Sequence, residues 1–207
     1  MRMKITLSIF LMVIFASCYK EPDYEDLSDN FTVTTNRDTV NFGAYKTYFI
    51  SDTVALTSGT SKDSLLPPAE AKRLVDAVKS NMAARGYTFV PKAAKPDLGI
   101  NVGALKDIDV GVIYPGWWWG YPGWWGGYYW GWYYPYYYPY SVTYVITTGN
   151  VIVDMVDLKN APPKQKMTVI WNAFIGGGLA TSTSVNTDMA VDGINQAFVQ
   201  SAYIQTK

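Results

Sequence analysis

The sequence predicts an α+β fold: a mostly antiparallel β-sheet with two helices packed on one face, plus a low-complexity aromatic insertion. Three observations carry this. Two segments, opening near residues 68 and 184, place apolar side chains at 3.6-residue spacing along one side only. Several short β-branched and aromatic runs, bounded by Gly, Pro, Asn and Asp, read as strands. Their order is strands, helix, a run of strands, helix, and a helix with one apolar stripe covers one sheet face.

The elements follow in chain order. Residues 1–17 read as an address rather than as structure. Arg2 and Lys4 precede an apolar run from Ile5 to Ala16, too short to span a bilayer as a helix. Cys18 follows Ala16 and Ser17 and is the sole cysteine of the chain. Residues 19–30 are acidic, lack apolar periodicity and read as a flexible tether. The α+β domain is expected over 31–207.

Phe31 to Thr35 alternates and opens the domain as a strand, and Lys46 to Ile50 is a stronger one. Residues 51–66 hold Ser, Thr, Asp and Gly and read as a loop. Pro67 and Pro68 start a helix with Ala71, Leu74, Val75, Val78 and Met82 on one face, stopped by Gly86. Tyr87 to Val90 is a short strand, and Leu98 to Leu105 the next. After the aromatic segment, Val142 to Thr147 and Val151 to Leu158 read as strands about a Gly149-Asn150 turn. Met167, Val169, Trp171, Ala173 and Ile175 alternate on one face of a further strand. A Gly- and Thr/Ser-rich loop leads to a last helix, about Ser184 to Gln200, in which Gly193 costs about 1 kcal/mol relative to Ala.

Composition excludes several functions. Seventeen Lys plus Arg balance seventeen Asp plus Glu, and the 207 residues contain no histidine. A disulfide framework, a Cys/His zinc site and a Ser-His or Cys-His nucleophile pair are therefore excluded. The neutral balance lacks the basic excess of a nucleic-acid binder. No cofactor and no metal site is indicated.

The amino-terminal pattern, ending in Ala16-Ser17-Cys18, resembles a bacterial lipoprotein precursor with a relaxed lipobox of the Bacteroidetes type. That resemblance implies cleavage before Cys18 and diacylglycerol on its sulfur, hence a lipid-bilayer partner at the outer membrane, facing periplasm or cell surface. Further motifs, Phe42-Gly-Ala-Tyr45-Lys46-Thr47-Tyr48, Arg85-Gly86-Tyr87, Lys95-Pro96-Asp97-Leu98, Gly149 to Asp157 and Val169-Ile170-Trp171, resemble a bacterial lipoprotein family called domain of unknown function 4136. The likeness covers roughly 31–204. Asn172-Ala173 departs from it, since Arg or Lys and then Gly are more usual there. No activity follows from the resemblance.

Tyr114 to Tyr140 is chemically the most unusual stretch. Its 27 residues are seven Trp, ten Tyr, six Gly and four Pro. Without Leu, Ile or Val it lacks the material of a dense core, and so many Gly and Pro interrupt regular structure. It reads as a mobile insertion whose binding candidates are Trp117, Trp118, Trp119, Trp124, Trp125, Trp130 and Trp132. Such rings suit a sugar face, a bilayer interface or another protein. An envelope protein or glycan is the favoured partner, because exposed rings need masking. Nucleic acid is disfavoured, since the segment carries no basic residue.

The expected role is thus a non-catalytic structural or binding protein of the cell envelope. The rival is an envelope hydrolase using Asp107 and Asp109, which share one side of an extended chain. Asp154 and Asp157 read as turn supports or lysine partners, and Trp171 as core. Asp38-Thr39-Val40, Asp52-Thr53-Val54 and Asp63-Ser64-Leu65 resemble the O-glycosylation sequon of Bacteroidetes.

Overall fold

The structure, a computed structural model, describes residues 32–36, 39–58, 64–106, 136–137, 150–177 and 187–206. Its backbone is a nine-stranded sheet. The strands are β1 Thr32–Asn36, β2 Thr47–Ile50, β3 Ala55–Ser58, β4 Ser64–Leu65, β5 Thr88–Phe89, β6 Leu98–Lys106, β7 Tyr136–Tyr137, β8 Asn150–Asp157 and β9 Met167–Ile175. The helices are α1 Pro68–Ala84, the single turn α2 Ala161–Lys164, and α3 Thr187–Gln200.

The three longest ladders are antiparallel. β8 lies between β6 and β9, paired from Leu98↔Asp157 to Leu105↔Asn150 on one side and from Asp157↔Thr168 to Val151↔Ile175 on the other. β1 adds antiparallel to β9 at Trp171 to Ile175. On the other flank, β2 pairs parallel with β6, and β5 parallel with β2. That parallel step is the consequence of α1, which carries the chain from one end of the sheet back to the other.

Both long helices form where the apolar spacing puts them. Ala71, Leu74, Val75, Val78 and Met82 of α1 are all buried. Pro68 opens α1, where a missing N–H costs nothing. At its end Tyr87 N–H donates to Met82 O (3.1 Å) and Gly86 N–H to Ala83 O (3.0 Å). That closure needs a left-handed residue, and Gly86 supplies it at φ +85°. In α3, Ile194, Ala197 and Phe198 are fully buried against the same sheet face. Gly193 is explained by proximity rather than by local propensity. A Cβ there would stand 2.3 Å from Ile175 Cγ2, so only glycine lets α3 lie this close to β9.

Three sequence expectations need correction. Residues 51–66 contain strands: β3 pairs with Gly103 to Lys106 of β6, and β4 with β3. β2 and β3 follow one another along a single edge of β6, where residues 51–54 face only residues 101–102, a two-residue bulge. The Met167-to-Ile175 alternation breaks at a bulge opposite Met155/Val156. Trp171, Ala173 and Ile175 therefore join the helix-side core with Ile170, whereas Met167 and Val169 do not. Residues 142–147, expected as a strand, lie outside the described residues. Finally, Tyr136 and Tyr137 of the aromatic segment form β7, parallel to Met167–Thr168. The absence of local periodicity did not prevent an edge pairing that β9 supplies.

Candidate functional site

The two sheet faces differ in chemistry. The face beneath α1 and α3 is continuous hydrocarbon: Ile100, Val102, Val153, Met155, Ala173 and Ile175 belong to one cluster with both helices. The opposite face carries a polar row across its centre. Asn101, Asp154 and Asn172 are neighbours in register on β6, β8 and β9. Asn172 Nδ2 donates to Asp154 Oδ1 at 2.5 Å. All three side chains are buried, and Asn101 Oδ1 and Nδ2 have no hydrogen-bond partner among the described residues. Ile152, Val156, Val169 and Phe174 flank the row at 0–1% exposure, outside the cluster that holds the long helices. Gly99 and Gly103 bracket Asn101 at period two, so β6 offers backbone there rather than side chains.

The residues behind the family resemblance are spent on the fold. Asp97 Oδ2 accepts from the backbone N–H of Lys46 (2.7 Å) and Thr47 (3.2 Å), and Asp97 N–H donates to Thr47 Oγ1 (3.0 Å). This locks the starts of β2 and β6 together. Tyr87 O–H donates to Phe42 O at 3.0 Å. Arg85 reaches Phe198 O at 2.7 Å and lies over the Phe198 ring. Trp171 is fully buried, its Nε1–H donating to Ser201 Oγ at 2.8 Å.

Asp157, 2% exposed, accepts from the backbone and side chain of Asn160 and from Lys164 Nζ (3.2 Å). It thus supports the α2 turn and pairs with a lysine at once. Burial, and then the Asp157 carboxylate beside it, hold the Tyr45 hydroxyl above its ordinary range, so it stays protonated. A carboxylate with both oxygens engaged beside a buried phenol makes a structural joint.

Cys18, the seven candidate tryptophans, Asp107 and Asp109 lie outside the described residues. Of the aromatic segment, Tyr137 is placed: it is 42% exposed at the edge of β9, with Lys166 Nζ 4.0 Å from its ring centroid. Thr39, Thr53 and Ser64 are all exposed. Among the described residues no group of three His, Cys, Asp or Glu could hold a metal ion, and no helix is long and apolar enough to cross a membrane. The polar row escaped the sequence reading. Its signal was available, since Asn101, Asp154 and Asn172 each interrupt an apolar strand.

These features define an α+β protein with one helix-covered sheet face and, among the described residues, one face without a long helix. The domain of unknown function DUF4136 matches residues 32–201, and the chain belongs to that family. It is similar to a DUF4136 family protein of Bacteroides thetaiotaomicron VPI-5482, at 32% identity and a TM-score of 0.70, over 86% of this chain and 99% of that one. More distant are a PDZ domain protein from Parabacteroides distasonis (15% identity, TM-score 0.45, 84% of this chain and 36% of that one) and a PelC dodecamer from Paraburkholderia phytofirmans (14%, 0.40, 86% and 99%). No curated protein matches the chain.

Proposed function

We propose that this protein is a lipid-anchored component of the cell envelope, held at the outer membrane through Cys18, with a non-catalytic structural or binding role exercised through its aromatic segment. The anchor reading rests on Arg2 and Lys4, the short apolar run and the single thiol placed directly after it. Several acyl chains would hold such a protein stably, at about 0.8 kcal/mol per buried methylene.

The observation that carries the binding role is Tyr137, the one described side chain of the segment, 42% exposed and held at a sheet edge beside Lys166. Edge-held rings beside a cation suit an envelope protein or glycan. The test is a pull-down from envelope extract with the full chain and with Phe replacing all seven tryptophans from Trp117 to Trp132. Phenylalanine keeps apolar bulk and removes the indole. Recovery of the bound envelope component is expected to fall by about tenfold or more, as for loss of interface hot spots. Equal recovery by a folded variant would contradict the reading.

A further inference from the structure

We propose that the end of the sheet where β2, β6 and β9 begin and β8 finishes is a binding surface for an acidic glycan, a polysaccharide whose sugar units carry carboxylate groups. Lys46 stands directly before β2, Lys95 three residues before β6, Lys159 two residues after β8 and Lys166 directly before β9. Those four strands are neighbours in the order β9-β8-β6-β2, with Thr168, Asp157, Leu98 and Tyr48 in register. The lysines therefore form a row across one end of the sheet, and Lys164 joins it from the α2 turn. Among the described residues, Asp97 and Asp157 are the acids that share the row. Elsewhere the described residues carry six basic and six acidic side chains, so the whole positive excess sits here.

Both aspartates are spent on the fold. Asp97 Oδ2 accepts from the backbone N–H of Lys46 and Thr47, while Asp157, 2% exposed, takes up Asn160 and Lys164. Lys46, Lys95, Lys159 and Lys164 are exposed. Lys46 Nζ donates to Thr206 O (2.5 Å), and Lys159 Nζ donates to Ala44 O (2.7 Å) and stands 3.9 Å from Asp97 Oδ1. The two carbonyls position their cations without cancelling the charge, and each ammonium has three donors. A row of one sign attracts a polyanion over a distance of several ångströms.

Two observations select a glycan. Neighbouring strands lie about 4.8 Å apart, close to the length of one sugar unit in a linear polysaccharide. A chain with a carboxylate on each sugar thus presents its charges at the pitch at which the strands present lysines. At the β9 side of the row Tyr137 pairs with Thr168 and is 42% exposed, with Lys166 Nζ 4.0 Å from its ring centroid. A ring for the sugar's C–H face and a cation for its carboxylate then stand side by side.

The position of the anchor sets the row apart from the bilayer. β1 begins at Thr32, which pairs with Ile175 at the opposite end of β9, about 27 Å from Met167 at roughly 3.3 Å per residue. A tether of residues 19–30 has an r.m.s. span of about 20 Å, so Cys18 lies nearer the end without the lysines. This step rests on the anchored reading given above, and the proposal deepens the binding role by naming its ligand class.

The test uses the full protein, extracted from membranes and held in phosphatidylcholine nanodiscs. Binding of polygalacturonate is measured by biolayer interferometry beside neutral dextran, poly-glutamate and phosphatidylglycerol vesicles. Polygalacturonate is expected to bind about tenfold or more tighter than the other three, and to lose about tenfold in affinity between about 50 and 500 mM salt. Lys95→Gln with Lys166→Gln is expected to weaken it about tenfold. Lys72→Gln with Arg73→Gln, the same loss of charge on α1, is expected to leave it unchanged. If the first pair does not fold, Lys95→Gln alone, expected to be about threefold weaker, takes its place. Absent or salt-independent binding, equal binding of poly-glutamate, or equal loss in the two pairs would overturn the proposal. Tighter binding to the phosphatidylglycerol vesicles would do so too, by giving the row to a membrane. The seven tryptophans are intact in all these variants and the lysines are intact in the pull-down, so failure of this proposal and failure of the aromatic reading are distinguishable.

Discussion

Trp171→Ala is expected to cost about 3–5 kcal/mol of folding stability, the range for deleting a large buried aromatic. Trp171 is fully buried in β9, its ring 5.2 Å from that of Phe198 on α3, and its Nε1–H donates to Ser201 Oγ just beyond that helix. One side chain thus fastens the last helix to the centre of the sheet by both packing and a buried hydrogen bond. Against a typical domain stability of about 5–15 kcal/mol, the loss leaves little margin. Trp171→Phe keeps most of the volume and is expected to cost about 1–3 kcal/mol. Urea unfolding followed by far-UV circular dichroism measures both. A loss below about 1 kcal/mol for the alanine variant would mean that α3 is fastened elsewhere.

The second large effect is alkaline unfolding. Burial pushes the hydroxyls of Tyr48 and Tyr87 up to about 12. In the unfolded chain a tyrosine ionises near pH 10. The folded state therefore favours the protonated phenol, and its stabilising effect is complete below about pH 10. It is lost as pH rises from about 10 towards 12, by about 2–3 kcal/mol for each of the two. Tyr45, raised by burial and then by Asp157, adds in the same direction. Circular dichroism recorded with tyrosinate absorbance from pH 9 to 12.5 is expected to show cooperative unfolding inside that window. Tyr87→Phe is expected to move the midpoint upward in pH, since it removes one ionisation. Smooth ionisation of all seventeen tyrosines with unchanged dichroism would refute this account of the core.

The helices and long strands were legible because each carries a local signal. The α1 spacing from Ala71 to Met82 and the β-branched runs of β8 and β9 are read within a few residues. What was not legible depends on distant partners. β3 is Ala-Leu-Thr-Ser inside a polar stretch and is a strand because β6 extends beside it. Ile170 is displaced by a bulge that only β8 reveals. Gly193 reads as a helix weakness until Ile175 stands against it. The polar row is assembled from three strands far apart in the chain, and β7 from a segment with no periodicity of its own.

The motifs behind the family resemblance likewise proved to be joints: Asp97 ties β2 to β6, Tyr87 ties β5 to Phe42, and Trp171 ties β9 to the end of α3. Those residues are committed to packing, and the proposed contact with the surroundings is assigned instead to the amino terminus and the aromatic segment.

The proposed anchorage at Cys18 is what would tie this fold to an envelope role. It is tested most directly by the intact mass of the protein extracted from membranes of the producing cells. The expected mass is that of residues 18–207 plus a thioether-linked diacylglycerol and an amide-linked acyl chain. A free thiol at Cys18, or a chain that still carries residues 1–17, would contradict it.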